Sequence, residues 1–66
     1  MKLLVNRIAA YRHKLGLTQQ QLADLVGVSK NAISAFECAD YNPSAFVAAK
    51  LCEAFNVKFE DLFELI

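Results

Sequence analysis

Three side chains in this 66-residue chain have the strongest potential for catalysis or metal binding: His13, Cys38 and Cys52. His13 has no candidate base or metal-binding partner, so we expect it to lie on the protein surface. Two cysteines are too few for a disulfide framework, and their spacing from the histidine does not suit a metal site. The sequence therefore predicts neither an enzyme nor a metal centre.

A second group of residues has the chemistry to recognise a ligand rather than to react with it. At a helical period of 3.6, Lys30, Asn31, Ser34, Ala35 and Cys38 share one face. Lys30 can bond guanine O6 and N7 or a phosphate, Asn31 can bond adenine N6 and N7, and Ala35 can contact a thymine methyl group. On spacing alone, a solvated helix surface explains each of these residues better than contact with DNA.

The residues before and within this face predict two short helices joined by a tight turn. Thr18 and Gln21 match the capping-box pattern that opens a helix, and Gly27 ends that helix after about eight residues. Ser29 then caps a second helix that runs from Lys30 to about residue 37. The pattern favours a helix-turn-helix over residues 18–37, although an ordinary pair of helices in a bundle has similar spacing.

The rest of the chain completes an all-α fold of five helices. The first helix begins near Asn6 and ends before Gly16, and the fourth is capped by Asn42 or Ser44 and stops at Asn56. The last segment allows two structures, a fifth helix over 59–63 or a strand over 62–66. That strand would pair with the apolar run 3–5, so a short β-pair between the termini is an additional expectation.

Charge is distributed unevenly along the chain, although seven basic and seven acidic residues give no net charge. Residues 1–36 contain five basic residues and one acidic residue, whereas residues 37–66 contain two basic and six acidic residues. This distribution would let one half face phosphates while the other half faces away from them. Chance clustering is the alternative explanation.

Length and hydropathy favour one cytoplasmic domain spanning residues 1–66. A chain of this size leaves no room for a second, ligand-sensing domain. No apolar run approaches the ~18 residues that a membrane-spanning helix needs. The apolar part of the first residues is also too short for a signal peptide. We therefore expect neither membrane association nor a small-molecule ligand domain.

Four stretches of the sequence together resemble the Cro/cI-type (Xre) helix-turn-helix regulators. They are NRIAAYRHKLGLTQQQLADLVGVS, AISAFE, YNPS and FEDLF, and the resemblance covers about residues 6–63. It implies a lambda-repressor-like bundle of about five helices. It also implies sequence-specific binding of a double-stranded DNA operator by a homodimer, most often to repress transcription, with no cofactor.

The resemblance assigns roles to the residues of the helix-turn-helix. Gln19 matches a family position that holds a phosphate at the start of the second helix, and Thr18 is mainly a helix cap. Family positions that match Lys30, Asn31 and Ala35 often face bases. The resulting candidate DNA-binding set is Thr18, Gln19, Ser29, Lys30, Asn31, Ser34 and Ala35.

Arg12 and Glu37 match family positions that form an ion pair between the first helix and the end of the third. The alternative role for Arg12 is a phosphate contact. Removing one partner of a buried pair costs several kcal/mol, so this pair is expected to matter for stability.

The chain also departs from the family pattern just after the third helix. Cys38, Ala39 and Asp40 occupy positions where the family commonly has a basic residue, glycine and another basic residue. Ala39 thus places a Cβ where a left-handed residue is usual. Phe46 lies at a usually polar position, where it either contacts a partner or fills space. The zero net charge, together with Cys38, Asp40 and Phe46, supports an alternative function as a protein-interaction module, such as an antitoxin-like or antirepressor partner with weak or no DNA binding.

The apolar C-terminal segment is the expected dimer surface. Its candidate residues are Phe55, Phe59, Phe63 and Ile66, with residues 3–5 as an additional contribution. An apolar run is costly to expose on a small domain, and burial against a second copy would remove that cost. The alternative is that Phe59, Leu62 and Phe63 all fold inward within one chain.

Overall fold

The computed structural model describes residues 4–40 and 42–65, which form five helices and one pair of short strands. The elements in chain order are β1 (Leu4–Asn6), α1 (Ile8–Lys14), α2 (Gln19–Val26), α3 (Lys30–Glu37), α4 (Ala45–Phe55), α5 (Phe59–Leu62) and β2 (Phe63–Leu65). The five-helix fold with a β-pair is the fold class that the sequence predicts. Leu3 and Ile66, expected at the ends of terminal strands, lie outside the described residues.

Side-chain caps open three of the helices at positions the sequence predicts. The Thr18 hydroxyl accepts a hydrogen bond from Gln21 N–H at 3.0 Å, and the Gln21 side chain accepts one from Thr18 N–H at 2.8 Å. Ser29 caps α3, and of the two caps expected for α4, Ser44 is used rather than Asn42. Each bond satisfies an N–H group that lacks a partner within its helix.

A residue in the left-handed conformation terminates each of the helices α1 to α4. Gly16 and Gly27 have φ of 71° and 77°, and Asn56 ends α4 with φ of 56°. Ala39 has φ of 60°, which confirms that its Cβ occupies a left-handed position after α3. Glycine and, to a lesser degree, asparagine adopt this conformation easily, whereas alanine does so at a cost.

The core lies between the five helices and the inner face of the β-pair. It consists of apolar side chains that recur at helical spacing and come from every helix. They are Ile8, Leu22, Ala23, Val26, Ile33, Phe36, Ala48, Leu51, Phe55, Leu62 and Phe63. The small side chain of Ala23 is completely buried, which is consistent with close approach of α2 to its neighbours.

One strand of the β-pair comes from the C-terminal segment, for which the sequence allows either a helix or a strand. Helix α5 stops at Leu62, and β2 begins at Phe63 and pairs antiparallel with β1. Val5 of β1 lies opposite Glu64 of β2. Both expected structures are therefore present in succession. Within the described ranges, no helix is long and apolar enough to cross a membrane.

Candidate nucleic-acid interface

The outer face of α3 carries the polar residues that the sequence assigns to base contact. Lys30 and Asn31 are exposed, while Ser34 and Ala35 are half-buried beside them. Within the parts of the chain the structure describes, neither the Lys30 ammonium group nor the Asn31 amide has a partner. Because the opposite face of α3 is buried in the core, these groups are held outward on a fixed helix.

The start of α2 forms a second polar surface. Thr18 is exposed, and its hydroxyl is engaged in the capping box, as expected of a residue that is mainly a cap. Gln19 is the first residue of the helix. The N–H groups at a helix start and the positive end of its dipole favour an anion such as a phosphate. Ser29 has a similar arrangement at the start of α3, where its hydroxyl accepts from Ala32 N–H.

Arg12 and Glu37 form the ion pair expected between α1 and α3. Arg12 Nε donates to Glu37 Oε2 at 2.6 Å, and Nη2 donates to Oε1 at 3.2 Å. The two side chains are only 13% and 8% exposed. Arg12 Nη1 also donates to the carbonyl of Leu17 at 2.8 Å, so one guanidinium fixes the α1–α2 connection and the end of α3. These bonds occupy much of the guanidinium, which favours the structural role over the phosphate contact.

Gln19 joins this ion pair, a contact that sequence reasoning missed. Its Nε2 donates to Glu37 Oε1 at 2.9 Å. One amide hydrogen is thereby used and the other is left for a further acceptor. Helical spacing could not reveal this bond, because its two residues lie on different helices. It holds the expected phosphate-binding side chain in a defined position.

The same contacts determine the ionisation of Glu37. Burial by itself raises the pKa of this carboxyl group. Hydrogen bonds from Arg12 and Gln19, together with the positive charge of Arg12, outweigh burial, so the pKa lies below its ordinary value. Glu37 is consequently ionised at neutral pH and remains an acceptor for both partners.

His13 lies on the surface, as expected, but it is not isolated. Its Nε2 is 2.9 Å from Arg12 Nη2. Because a guanidinium group can only donate, the histidine nitrogen is the acceptor in this arrangement. His13, Arg12, Glu37 and Gln19 therefore form one continuous chain of polar contacts across α1, α3 and α2.

The structure corrects the expected dimer surface at two of its four residues. Phe55 and Phe63 are only 7% and 3% exposed, because they pack in the core of their own chain, where Phe55 stacks with Tyr11. Their side chains are thus not available to a second copy, and for Phe63 this agrees with the inward-folding alternative. Phe59 is 54% exposed and keeps contact with the Phe63 ring. Ile66 lies outside the described residues.

The segment after α3 has the departures that the sequence indicates. Cys38 and Asp40 are exposed on either side of Ala39, so no cation is available at these three positions. Phe46 is 69% exposed at the start of α4, and Lys50 Nζ lies 5.7 Å from its ring centroid. Phe46 therefore does not fill space in the core.

Comparison with known proteins places this arrangement in a family. The sequence profile described as helix-turn-helix matches residues 8–62, which is most of the chain. The chain belongs to the helix-turn-helix family. An HTH-type transcriptional regulator of Bacillus subtilis, YgzD, is 40% identical to this helix-turn-helix protein over 60 residues, or 91% of either chain. Another from Archaeoglobus fulgidus is 46% identical over 57 residues, covering 86% of this chain and 81% of the relative.

Solved structures with the same fold include a repressor and a controller protein. The P22 c2 repressor in complex with a synthetic operator aligns with a TM-score of 0.79 and 35% identity, covering 82% of both chains. The restriction-modification controller protein C.AhdI from Aeromonas hydrophila aligns with a TM-score of 0.77 and 27% identity over 83% of both chains. The resemblance to Xre-type regulators is confirmed. This helix-turn-helix family is one of transcription regulators rather than of enzymes.

Proposed function

We propose that the protein is a homodimeric transcription repressor that binds a specific operator sequence in double-stranded DNA. The observation that carries this proposal is the outer face of α3, where Lys30 and Asn31 are exposed and unpaired within residues 4–40 and 42–65. The P22 c2 repressor, which shares the fold, was solved with a synthetic operator. A fixed helix with free polar groups suits the major groove, which admits an α-helix.

In this proposal, side chains on the outer face of α3 contact the DNA bases. Asn31 offers an amide that can bond adenine N6 and N7 together, and Lys30 can donate to guanine O6 and N7. Ala35 is small and partly exposed, so its methyl group can contact a thymine methyl. Ser34 lies on the same face and can donate to or accept from a base.

In this proposal, the N-termini of α2 and α3 bind phosphates of the DNA backbone. The α2 N-terminus provides backbone N–H groups, and Gln19 adds the amide hydrogen that Glu37 does not use. Thr18 and Ser29 contribute chiefly as caps that fix these helix ends. Contacts of this kind set the position of the protein on the duplex but carry no sequence information.

Dimerisation follows from the small size of one module. A single copy makes few base and phosphate contacts, and specific binding usually requires two half-sites about 34 Å apart. The absence of basic side chains at Cys38–Asp40 weakens one copy further. Phe59 is 54% exposed and remains available to the interface, and the Phe63 ring contacts it from the core.

Selection of bound duplexes from a random pool, followed by binding measurements on variants, tests the proposal. Asn31→Ala should lose about 1–3 kcal/mol on the selected site and relax the preference at one base pair. Lys30→Ala should relax a different base pair. Unchanged affinity and preference in Asn31→Ala would refute the assignment of that residue.

Gln19→Ala should instead weaken binding to all duplexes alike, because a phosphate contact does not distinguish bases. Gln20→Ala is the matched control, since Gln20 is exposed on the same helix and bonds Asp24 rather than Glu37. A change of base preference in Gln19→Ala would contradict the phosphate role. Equal effects of the two substitutions would do the same.

One observation favours a second candidate function, that of a protein-interaction module. Phe46 is the most exposed large apolar residue among the described side chains, and the chain has no net charge. The salt dependence of duplex binding separates the two functions, because only phosphate neutralisation releases counterions. Affinity that falls steeply with salt supports the repressor. Weak binding that is insensitive to salt supports the interaction module, and Phe46→Ser should then abolish partner binding.

A further inference from the structure

The hydrogen bonds of the β-pair determine which edge of β1 is free. Arg7 N–H donates to Leu62 O at 2.8 Å, next to a ladder in which Val5 lies opposite Glu64. In an antiparallel ladder, hydrogen-bonded and non-hydrogen-bonded pairs alternate. Because the Arg7–Leu62 position is bonded, the Val5–Glu64 pair two residues away is bonded as well. The β1 residues on either side of Val5 therefore direct their N–H and C=O groups away from β2.

Those outward groups belong to Leu4 and Asn6, which form what we call the outer edge of β1. Asn6 N–H has no hydrogen bond to any residue of the two described ranges. Val5, between them, is 38% exposed. Unpaired groups along a strand edge can accept another strand.

We propose that the outer edge of β1 pairs antiparallel with the outer edge of β1 in a second copy, about a twofold axis that passes between the two Val5 residues. This proposal rests on the homodimer of the proposed function and names its interface. In this register, Leu4 lies opposite Asn6 of the second copy, and these bonded pairs exchange four hydrogen bonds. The two Val5 residues then form the non-hydrogen-bonded pair, in which side chains approach most closely.

The composition of β1 suits pairing with itself, whereas that of β2 does not. Two valines facing each other form a favourable apolar cross-strand pair. The equivalent arrangement of β2 would place Glu64 directly opposite Glu64 of the second copy, and like charges in that position are destabilising. In addition, Phe63 N–H already donates to Phe59 O, so the outer edge of β2 lacks one of its donors.

Asn6 connects this edge to the proposed DNA-reading helix. Its Nδ2 donates to the carbonyl of Phe36 at 2.8 Å, and its Oδ1 accepts from Ile8 N–H at 3.1 Å. Phe36 lies one residue before the end of α3. The strand that forms the interface is therefore fixed by one side chain to the last turn of α3. Pairing of two β1 edges would thereby set the relative position of the two α3 helices.

Disulfide trapping tests the register directly. Val5→Cys is prepared in a background with Cys38→Ser and Cys52→Ala, so that only one thiol remains per chain. The close approach of a non-hydrogen-bonded pair permits a disulfide, and we expect covalent dimers in oxidised glutathione buffer. Glu64→Cys is the matched control on the same face of the β-pair. Its thiols would be separated by about three strand spacings of 4.8 Å, so it should not cross-link.

A charge substitution tests the same edge without covalent chemistry. Val5→Lys places two like charges opposite each other across the axis, while within one chain Lys at this position faces Glu64 favourably. We expect sedimentation to show a folded monomer for Val5→Lys and a dimer for wild type and for Val5→Thr. Circular dichroism should show the same helix content in all three proteins.

The outcomes separate this interface from the proposed function. Val5→Lys that stays dimeric, or Val5→Cys that does not cross-link while wild type is a dimer, overturns the β1 interface and leaves the dimeric repressor intact. A wild type that is monomeric both alone and on the duplex selected from a random pool overturns the dimer and this interface together. Cross-linking of Val5→Cys with dissociation of Val5→Lys supports the interface.

Discussion

Two arginine–glutamate pairs join distant parts of this chain, and they differ mainly in their exposure. Arg12 and Glu37 are 13% and 8% exposed, approach to 2.6 Å and connect α1 with α3. Arg7 and Glu64 are 46% and 55% exposed, lie 3.2 Å apart and bridge the start of α1 and β2. The second pair spans 57 positions in sequence and the first only 25, so sequence separation does not decide their importance.

The difference shows how burial and shared partners determine the value of an ion pair. The Arg12–Glu37 pair also binds the Leu17 carbonyl and the Gln19 amide, so removal of one member leaves several groups without a partner. The exposed pair has water as an alternative partner on both sides. A charge left alone in a buried position is costly, whereas an exposed pair contributes little. The buried pair and its two further partners therefore fix the helix-turn-helix in place. The exposed pair makes only a small contribution to the stability of the β-pair.

The largest expected effect is on stability, from the matched substitutions Arg12→Met and Arg7→Met. Arg12→Met should lower the free energy of unfolding by about 3 kcal/mol, because Glu37 is left buried without its cation. Arg7→Met should lower it by no more than about 0.5 kcal/mol. Urea denaturation followed by circular dichroism measures both. Equal effects of the two substitutions would show that the difference in burial has no energetic consequence.

Local features of the sequence were enough to predict much of the fold. The capping box at Thr18, the serine caps and the left-handed residues at Gly27 and Asn56 each depend on residues within one turn. Their positions define the helix boundaries, and the spacing of apolar residues defines the buried faces. The exit from α3 at Ala39 was predicted because a family position there requires a left-handed residue, and its φ of 60° confirms it.

Contacts between distant residues were harder to predict. The Arg12–Glu37 pair was expected only from the family resemblance, and the Gln19–Glu37 bond was missed altogether. An apolar terminal run is ambiguous without its neighbours, so the sequence favours an outward Phe63 with inward packing as the alternative, and the structure packs it in the core. Helical period gives the inward direction only when the element is long, and α5 has four residues. Short terminal elements therefore need the tertiary structure.

The next largest effect is expected at the exit from α3, two residues beyond the buried pair. Ala39→Gly should raise the free energy of unfolding by about 1 kcal/mol, because glycine adopts a φ of 60° without the penalty that alanine carries. Asn56→Gly is the matched control at a φ of 56°, and its gain should be smaller because asparagine tolerates this conformation better. A lower melting temperature in Ala39→Gly would contradict strain at this position.

The buried pair should also confer a characteristic acid sensitivity. Because the pKa of Glu37 lies below its ordinary value of 4.5, its contribution is fully present above that pH. It is lost as the pH falls through the lower pKa of the folded state. Glu37→Gln should therefore be less stable than wild type at pH 7, and the difference should shrink between pH 5 and acid pH. A stability difference that stays constant down to acid pH would contradict the lowered pKa.

The smallest expected effect is the coupling between Arg7 and Glu64. A double-mutant cycle with Arg7→Met and Glu64→Gln should give a coupling free energy of about 0.5 kcal/mol or less, because both side chains are roughly half exposed. At about 1 M salt the Debye length falls to ~3 Å, so this coupling should vanish. The cycle of Arg12→Met with Glu37→Gln should retain most of its coupling at the same salt concentration, since burial limits screening. If high salt reduced the coupling free energy of the buried pair as much as that of the exposed pair, the two regions would not differ in the way their burial indicates.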